Sequence, residues 1–214
     1  MNSGSMALEN VARSLGLDGD PKRLSGLQSY VDLLMKWNKV YNLTAIRNPE
    51  EAWSHHIFDS MAALASIQKF RSGASSVLDV GSGGGLPGVV WAQMEDSMRV
   101  TCIDAVAKKV AFIQQVANEL PALNGRLSAV HNRVQDHALQ YDIVTSRAFS
   151  ALNDFVLWTR HTLKPGGYWV AMKGKWPEDE VAELPDSVEV FHVEQLVVPM
   201  LGEDRCLIWI RPKL

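Results

Sequence analysis

The chain has 214 residues, 47% of them hydrophobic and 21% charged, enough for one sizeable core with a helical appendage. Its net charge of −3 provides no global basic field, so any nucleic-acid contact has to rest on a local patch. Two distant cysteines, Cys102 and Cys206, argue against a disulfide scaffold and a cysteine-rich zinc site, and suit a reduced cytoplasm.

No run approaches the roughly 20 apolar residues of a membrane helix. The N-terminus shows no charged segment followed by an apolar one, so no secretory signal is expected. Residues Met1 to Ser5 read as a flexible remnant ahead of Met6. Residues 1–70 then read as a helical extension packed on a core formed by residues 71–214. Leu24, Leu27, Val31, Leu34 and Met35 follow helical spacing after Pro21, a good first-turn residue. Asn48-Pro49-Glu50-Glu51 is a second start signal: Asn48 caps, Pro49 fits the first turn and Glu51 completes a capping box. That helix should continue through Ile57, Met61 and Leu64.

After Gly73 short apolar runs alternate with helical stretches. Strands are predicted at 76–80, 99–104, 127–131, 142–146 and 168–173, and helices near 87–94, 107–120 and 149–162. Such alternation needs crossover connections and gives a doubly wound, mostly parallel sheet. Leu163-Lys164-Pro165-Gly166-Gly167 is predicted as a tight turn. Residues 188–198 and 206–210 are predicted as strands with Gly202 between them and no helix, an antiparallel hairpin ending the sheet.

The strongest chemical signal is Val77-Leu78-Asp79-Val80-Gly81-Ser82-Gly83-Gly84-Gly85-Leu86-Pro87-Gly88, a strand running into a glycine loop and a helix. Gly81, Gly83 and Gly85 let a ligand approach the backbone. Gly83, Gly85 and Gly88 also match a dinucleotide spacing, so the glycines alone do not choose the ligand. Asp79 does: a carboxylate there repels a pyrophosphate and suits an amino-acid ammonium, reached directly or through water. S-adenosylmethionine carries both an ammonium and a sulfonium. The alternative for Asp79 is a cap on the loop. Asp104, about 25 residues on at the end of the second strand, is placed to accept from two ribose hydroxyls; capping the helix at Ala107 is its alternative. Val134, Gln135 and Asp136 follow the third strand, where an adenine would lie, and equally fit an ordinary loop.

The fourth strand ends in Thr145-Ser146-Arg147-Ala148-Phe149. It lacks the Asn/Asp-Pro-Pro-aromatic segment usual for exocyclic-amine methylation, and no cysteine stands where pyrimidine-carbon methylation needs one. A guanine ring nitrogen is nucleophilic as it stands and asks only for alignment and electrostatics. Arg147 suits a guanine edge or a phosphate, with a salt bridge to a surface acid as the plain alternative.

The chain resembles the glucose-inhibited division protein B family, the bacterial small-subunit ribosomal RNA guanine-N7 methyltransferases, from about Leu24 to about Arg211. The resemblance is carried by Lys36-Trp37-Asn38-Lys39, Tyr41-Asn42-Leu43-Thr44, His56-Ile57, Asp59-Ser60, the Asp79 to Gly88 segment, Ser146-Arg147-Ala148-Phe149 and Lys173-Gly174. It implies an α/β seven-stranded Rossmann-like sheet with added N-terminal helices and transfer of a methyl group from S-adenosylmethionine to a guanine N7 of 16S ribosomal RNA. It implies cofactor contacts from Gly81, Leu86, Val134, Gln135 and Arg147, with Asp104 at the ribose. It also implies that Asn42, His56, Arg133, Arg147, Lys173 and Arg205 line the face that receives the RNA. His55 departs from a common arginine and Gln135 from a common acid. Gly84 departs from a common proline or alanine, which predicts a looser loop.

Arg147 is expected to orient the acceptor or cofactor, not to exchange protons. Trp37 is expected in the core. His55, His56 and Asp59 are not a specific ligand set, and no metal is expected. Lys164, Lys173 and Lys175, read as lying near the cleft end of strand five, would form a phosphate patch with Arg147 and Arg205. A cytoplasmic monomer without membrane contact is expected. The rival readings are a methyltransferase acting on a small molecule or protein, a non-catalytic cofactor- or RNA-binding module, and a nicotinamide enzyme, which Asp79 disfavours.

Overall fold

The computed structural model describes residues 3–70 and 75–213. Met1, Asn2, Gly73 and the expected boundary at 70/71 fall at or beyond the limits of the described residues. Ser3 to Ser5, expected as a loose remnant, belong to the first helix, α1 (Ser3–Ser14). Helix α2 (Pro21–Tyr41) starts where Asp20 accepts from the Lys22 and Arg23 N–H groups, with Pro21 in the first turn. Its periodic stripe Leu24, Leu27, Val31 and Leu34 is buried.

Asn48 caps α3 (Pro49–Ala52) by accepting from the Glu50 N–H at 2.9 Å. Among the described residues Glu51 makes no return bond to the Asn48 N–H, so the cap is one-sided. The predicted continuous helix runs on, but Trp53–Phe58 winds as a π-helix before α4 (Asp59–Phe70). Apolar spacing cannot reveal such a widened turn.

The sheet has seven strands: β1 (Ser75–Val80), β2 (Met98–Asp104), β3 (Leu127–His131), β4 (Tyr141–Arg147), β5 (Leu163–Lys173), β6 (Val188–Leu196) and β7 (Arg205–Pro212). Their order is β3-β2-β1-β4-β5-β7-β6. The first five pair in parallel, and β7 runs antiparallel to both β5 and β6. The doubly wound core and its terminal hairpin are therefore present. Helices α5 (Gly88–Met94), α6 (Ala107–Glu119), α7 (Leu152–Thr159) and the short α8 (Glu178–Ala182) complete the chain. The predicted turn at 163–167 is instead a bulge within β5: Tyr141 pairs with Leu163 but Ile143 with Tyr168, and Gly166 takes φ 78°. The predicted helix at 149–162 is shorter because Arg160–Thr162 tightens to a 3-10 turn.

Strand side chains alternate between two faces. Val77, Val100, Ile143, Val170 and Trp209 join one core with α1, α2, α4, α5 and α6. Leu78, Val80, Ile103, Val144 and Ile208 join a second core with α7. The N-terminal helices thus share apolar packing with the sheet. Trp91, fully buried on α5, donates its indole N–H to the Ser60 carbonyl on α4 at 2.9 Å. Trp91→Phe removes that inter-helix bond and leaves a small void. It should cost about 1–3 kcal/mol, seen as a lower denaturant midpoint at unchanged slope. An unchanged midpoint would mean the contact contributes nothing to the junction.

Candidate active site

The strand order reverses between β1 and β4, and in open α/β sheets ligands bind where strands part at their carboxyl ends. Two cavities lie there. The first, of about 400 Å³, is lined by Gly81, Asp104, Lys109, Val134, Phe149 and Trp158, among others. The second, of about 420 Å³, is lined by His56, Asp59, Arg147, Lys173 and Arg205. Ala148 lines both.

Glycine is required at Gly81. Its φ is 66°, and a Cβ there would run into the Phe149 ring. Gly83 and Gly85 also take positive φ, and they and Leu86 do not line the first cavity. The loop is not loose at Gly84. Tyr30 of α2 donates its hydroxyl proton to the Gly84 carbonyl at 2.7 Å, and a Cβ on Gly84 would lie 3.0 Å from Leu34. Tyr30 thus braces the loop, a role its position among the core leucines of α2 conceals.

Asp104 accepts from the Gly83 N–H at 3.0 Å and from the Val106 N–H at 2.9 Å, and pairs with Lys109 at 3.6 Å. It is not the cap of α6, whose flanking residue is Val106. It faces the cavity together with Val134, Gln135 and the exposed Arg133. Arg133, expected on the RNA-receiving face, lines the first cavity and is exposed. Lys109 and Trp158 also line that wall. Neither belongs to a motif, and only the fold brings them there.

Asp79 is fully buried and absent from the cavity wall. Its Oδ2 accepts from the Gly88 N–H at 2.8 Å, and Oδ1 has no partner. Burial raises its pKa to about 7, against the lowering effects of the Gly88 N–H and Arg147. The carboxylate thus fastens the loop to the start of α5.

The second cavity is organised by Arg147. One guanidinium nitrogen donates to the His55 carbonyl at 2.8 Å and to Asp59 Oδ2 at 3.1 Å; the other donates to His56 Nδ1 at 3.2 Å. Arginine has only donors, so Nδ1 is the unprotonated nitrogen and Nε2–H donates to Thr44 Oγ1 at 2.8 Å. Burial, and next the Arg147 charge, push the His56 pKa down to about 3, consistent with a neutral ring. The π-helical turn supplies the His55 carbonyl and the His56 ring, and Asp59 follows it directly. Such turns often mark functional sites.

Several other expected residues have partners of their own in the fold. Arg147 lines the second cavity, not the first, and its fork is spent on protein partners; its acid is the buried Asp59 rather than a surface residue. Lys173 pairs with Glu180 of α8 at 2.7 Å and donates to the Ser150 carbonyl. Arg205 lies 3.5 Å from Asp59 and 3.0 Å from Glu203. Lys164 is at the opposite end of β5, bound to Asp142 and Ser76. Lys175 is exposed. Asn42 lines neither cavity; it ends α2 at φ 52° and accepts from Arg47 at 2.6 Å. Trp37 packs on Phe112 with ring centres 5.6 Å apart. Cys102 and Cys206 are both buried.

A seven-stranded sheet of this order, with a glycine loop and an acid at the reversal point, defines a Rossmann-like methyltransferase. Among solved structures, a Burkholderia thailandensis 1,6-didemethyltoxoflavin-N1-methyltransferase, crystallised with S-adenosylhomocysteine, is similar at TM-score 0.60 and 16% identity, over 87% of this chain and 90% of that one. The glycopeptide N-methyltransferase MtfA, in complex with S-adenosylmethionine, is similar at TM-score 0.61 and 14% identity, over 74% and 96%. The model of the GidB family, described as rRNA small subunit methyltransferase G, matches residues 23–208. "Ribosomal RNA small subunit methyltransferase G" of Acidovorax sp. (strain JS42) is 50% identical, covering 96% of this chain and 94% of the relative. The protein of the same name from Paracidovorax citrulli is 47% identical, over 98% and 90%. The chain belongs to the GidB family of small-subunit rRNA methyltransferases.

Asp104→Ala should weaken S-adenosylmethionine binding by roughly 1.5–3 kcal/mol, about 10- to 150-fold in Kd, because hydrogen bonds to a charged group are the stronger kind. Calorimetric titration reads this directly. An unchanged Kd would leave Asp104 only as the brace of Gly83.

Proposed function

We propose that this protein transfers a methyl group from S-adenosylmethionine to N7 of a guanine in small-subunit (16S) ribosomal RNA, in the cytoplasm. The observation that carries this reading is the pair of cavities that share Ala148 as a lining residue, one lined by Gly81 and Asp104, the other by Arg147 and Asp59. Membership of the GidB family supports it, as does the shared name of the relatives.

The first cavity fits the cofactor. Gly81 has no side chain to fill it, and Asp104 offers a carboxylate for ribose hydroxyls beside Val134 and Trp158, which suit an adenine face. When bound, S-adenosylmethionine supplies a methyl group made electrophilic by its sulfonium. The guanine is held in the second cavity with N7 toward Ala148. The residues there need only bind, align and exclude water, since N7 needs no base to become nucleophilic. His56 is neutral with its Nε2 proton committed to Thr44, and Arg147 stays protonated, so neither is assigned a proton transfer. Arg133 and Lys175, both exposed, supply local positive charge for RNA phosphates despite the net negative chain. No helix among the described residues is long and apolar enough to cross a membrane.

Mass spectrometry of nucleosides from RNA methylated in vitro should show N7-methylguanine and no other new methylated base. Methyl on N6 of adenine, N2 of guanine or C5 of a pyrimidine would overturn the acceptor assignment.

A further inference from the structure

Around the second cavity one buried carboxylate faces two guanidinium groups. The Asp59 side chain is 3% exposed, and those of Arg147 and Arg205 are each 18% exposed. Oδ2 takes a hydrogen bond from Arg147 at 3.1 Å; Oδ1 lies 3.5 Å from Arg205 Nε and has no hydrogen-bond partner. Asp59 therefore joins the end of β4 to the start of β7 through the first residue of α4. Stability alone is a weak reason to keep such a cluster, since well-packed apolar residues commonly serve a fold as well as a buried ion pair.

The chemistry offers a stronger reason. In the proposed reaction the guanine N7 lone pair forms the new bond to the methyl carbon. The carbon–sulfur bond breaks with its electrons going to sulfur, which becomes a neutral thioether. No proton is lost, so the guanine ring becomes the cation. Positive charge thus arrives where Arg147 and Arg205 already stand, in a partly desolvated site where charges interact more strongly than in water. The remaining neighbours add little positive charge: Lys173 is neutralised by Glu180, and His56 accepts from Arg147 as a neutral ring.

We propose that Asp59 is a positioning residue for methyl transfer, a buried carboxylate that holds Arg147 in place and, with Glu203, offsets the charges of Arg147 and Arg205 while the acceptor ring becomes cationic. This rests on the guanine-N7 reading above. The three bonds Arg147 makes to the π-helical turn and Asp59 fix its plane, so that loss of the carboxylate both frees the guanidinium and leaves its charge unbalanced, with Arg205 keeping only Glu203.

The test compares wild type, Asp59→Asn and Asp59→Glu. It uses single-turnover methylation at saturating cofactor and RNA, with cofactor Kd by calorimetry and the melting temperature measured beside it. Asp59→Asn should lower the transfer rate about 100-fold, the scale of a lost electrostatic group at a reacting centre. Its cofactor Kd should stay within about threefold of wild type, a difference under 1 kcal/mol. Asp59→Glu, which keeps the charge one methylene further out, should recover about tenfold of that loss. Should Asp59→Asn fail to fold, Arg147→Lys keeps the charge but cannot make the three bonds, and its rate should fall with cofactor affinity retained. A wild-type rate in Asp59→Asn, or in Arg147→Lys, would overturn the proposal. So would a loss in Asp59→Asn confined to melting temperature and cofactor affinity. If wild type itself makes no N7-methylguanine, the functional reading fails instead, and the product analysis tells the two apart.

Discussion

A half-buried guanidinium at the end of a central strand dictates much of this molecule. Arg147 cannot shed its proton, and an unpaired charge at that depth is costly, so its donors must find acceptors. Nothing on β4 itself supplies them. They come from the helical segment beside it, where the π-helical turn turns the His55 carbonyl and the His56 ring toward β4 and Asp59 follows. One contact therefore ties the N-terminal helices to the carboxyl edge of the sheet. It also places an acceptor-sized cavity next to the cofactor-sized one. Ala148, at φ 51°, turns the chain immediately afterwards and brings Phe149 over Gly81.

The glycine loop depends on the same helices. Its conformation needs positive φ at Gly81, and its stiffness comes from outside: Tyr30 binds the Gly84 carbonyl, Asp104 the Gly83 N–H and Asp79 the Gly88 N–H. A Cβ at Gly88 would lie 2.6 Å from Cys102 Sγ and 2.9 Å from Asp79, so α5 starts as close to the sheet as a chain can come. The loop presents a bare backbone to one side and is held on the other. Preorganisation of this kind lowers the ordering cost of binding a flexible cofactor.

Much of this was legible in the sequence. Alternating apolar runs identified five parallel strands and the closing hairpin, because strands buried on both faces read as continuous apolar runs. The glycine loop, and Asp104 about 25 residues after Asp79, were legible because their chemistry depends on local spacing. What stayed hidden depends on long-range pairing. Asp79 looked like a ligand group because sequence cannot show that the Gly88 N–H would claim it. Lys173 and Arg205 looked like free cations because Glu180, Asp59 and Glu203 meet them only in the fold. Lys164 was misplaced because it comes at the start of β5, and the amino end of a parallel strand lies opposite the cleft. Trp158 and Lys109 carry no motif; only the crossing of α6 and α7 over the strand ends brings them to one wall.

The central claim is that two cavities, one for the cofactor and one for the acceptor, open onto each other at Ala148. A crystal structure of the protein with S-adenosylhomocysteine tests it most directly. The account predicts the ribose on Asp104, the adenine between Val134 and Trp158, and the thioether sulfur beside Ala148, facing the cavity walled by Arg147 and Asp59. A sulfur pointing away from that cavity, or a ligand seated elsewhere on the molecule, would contradict it.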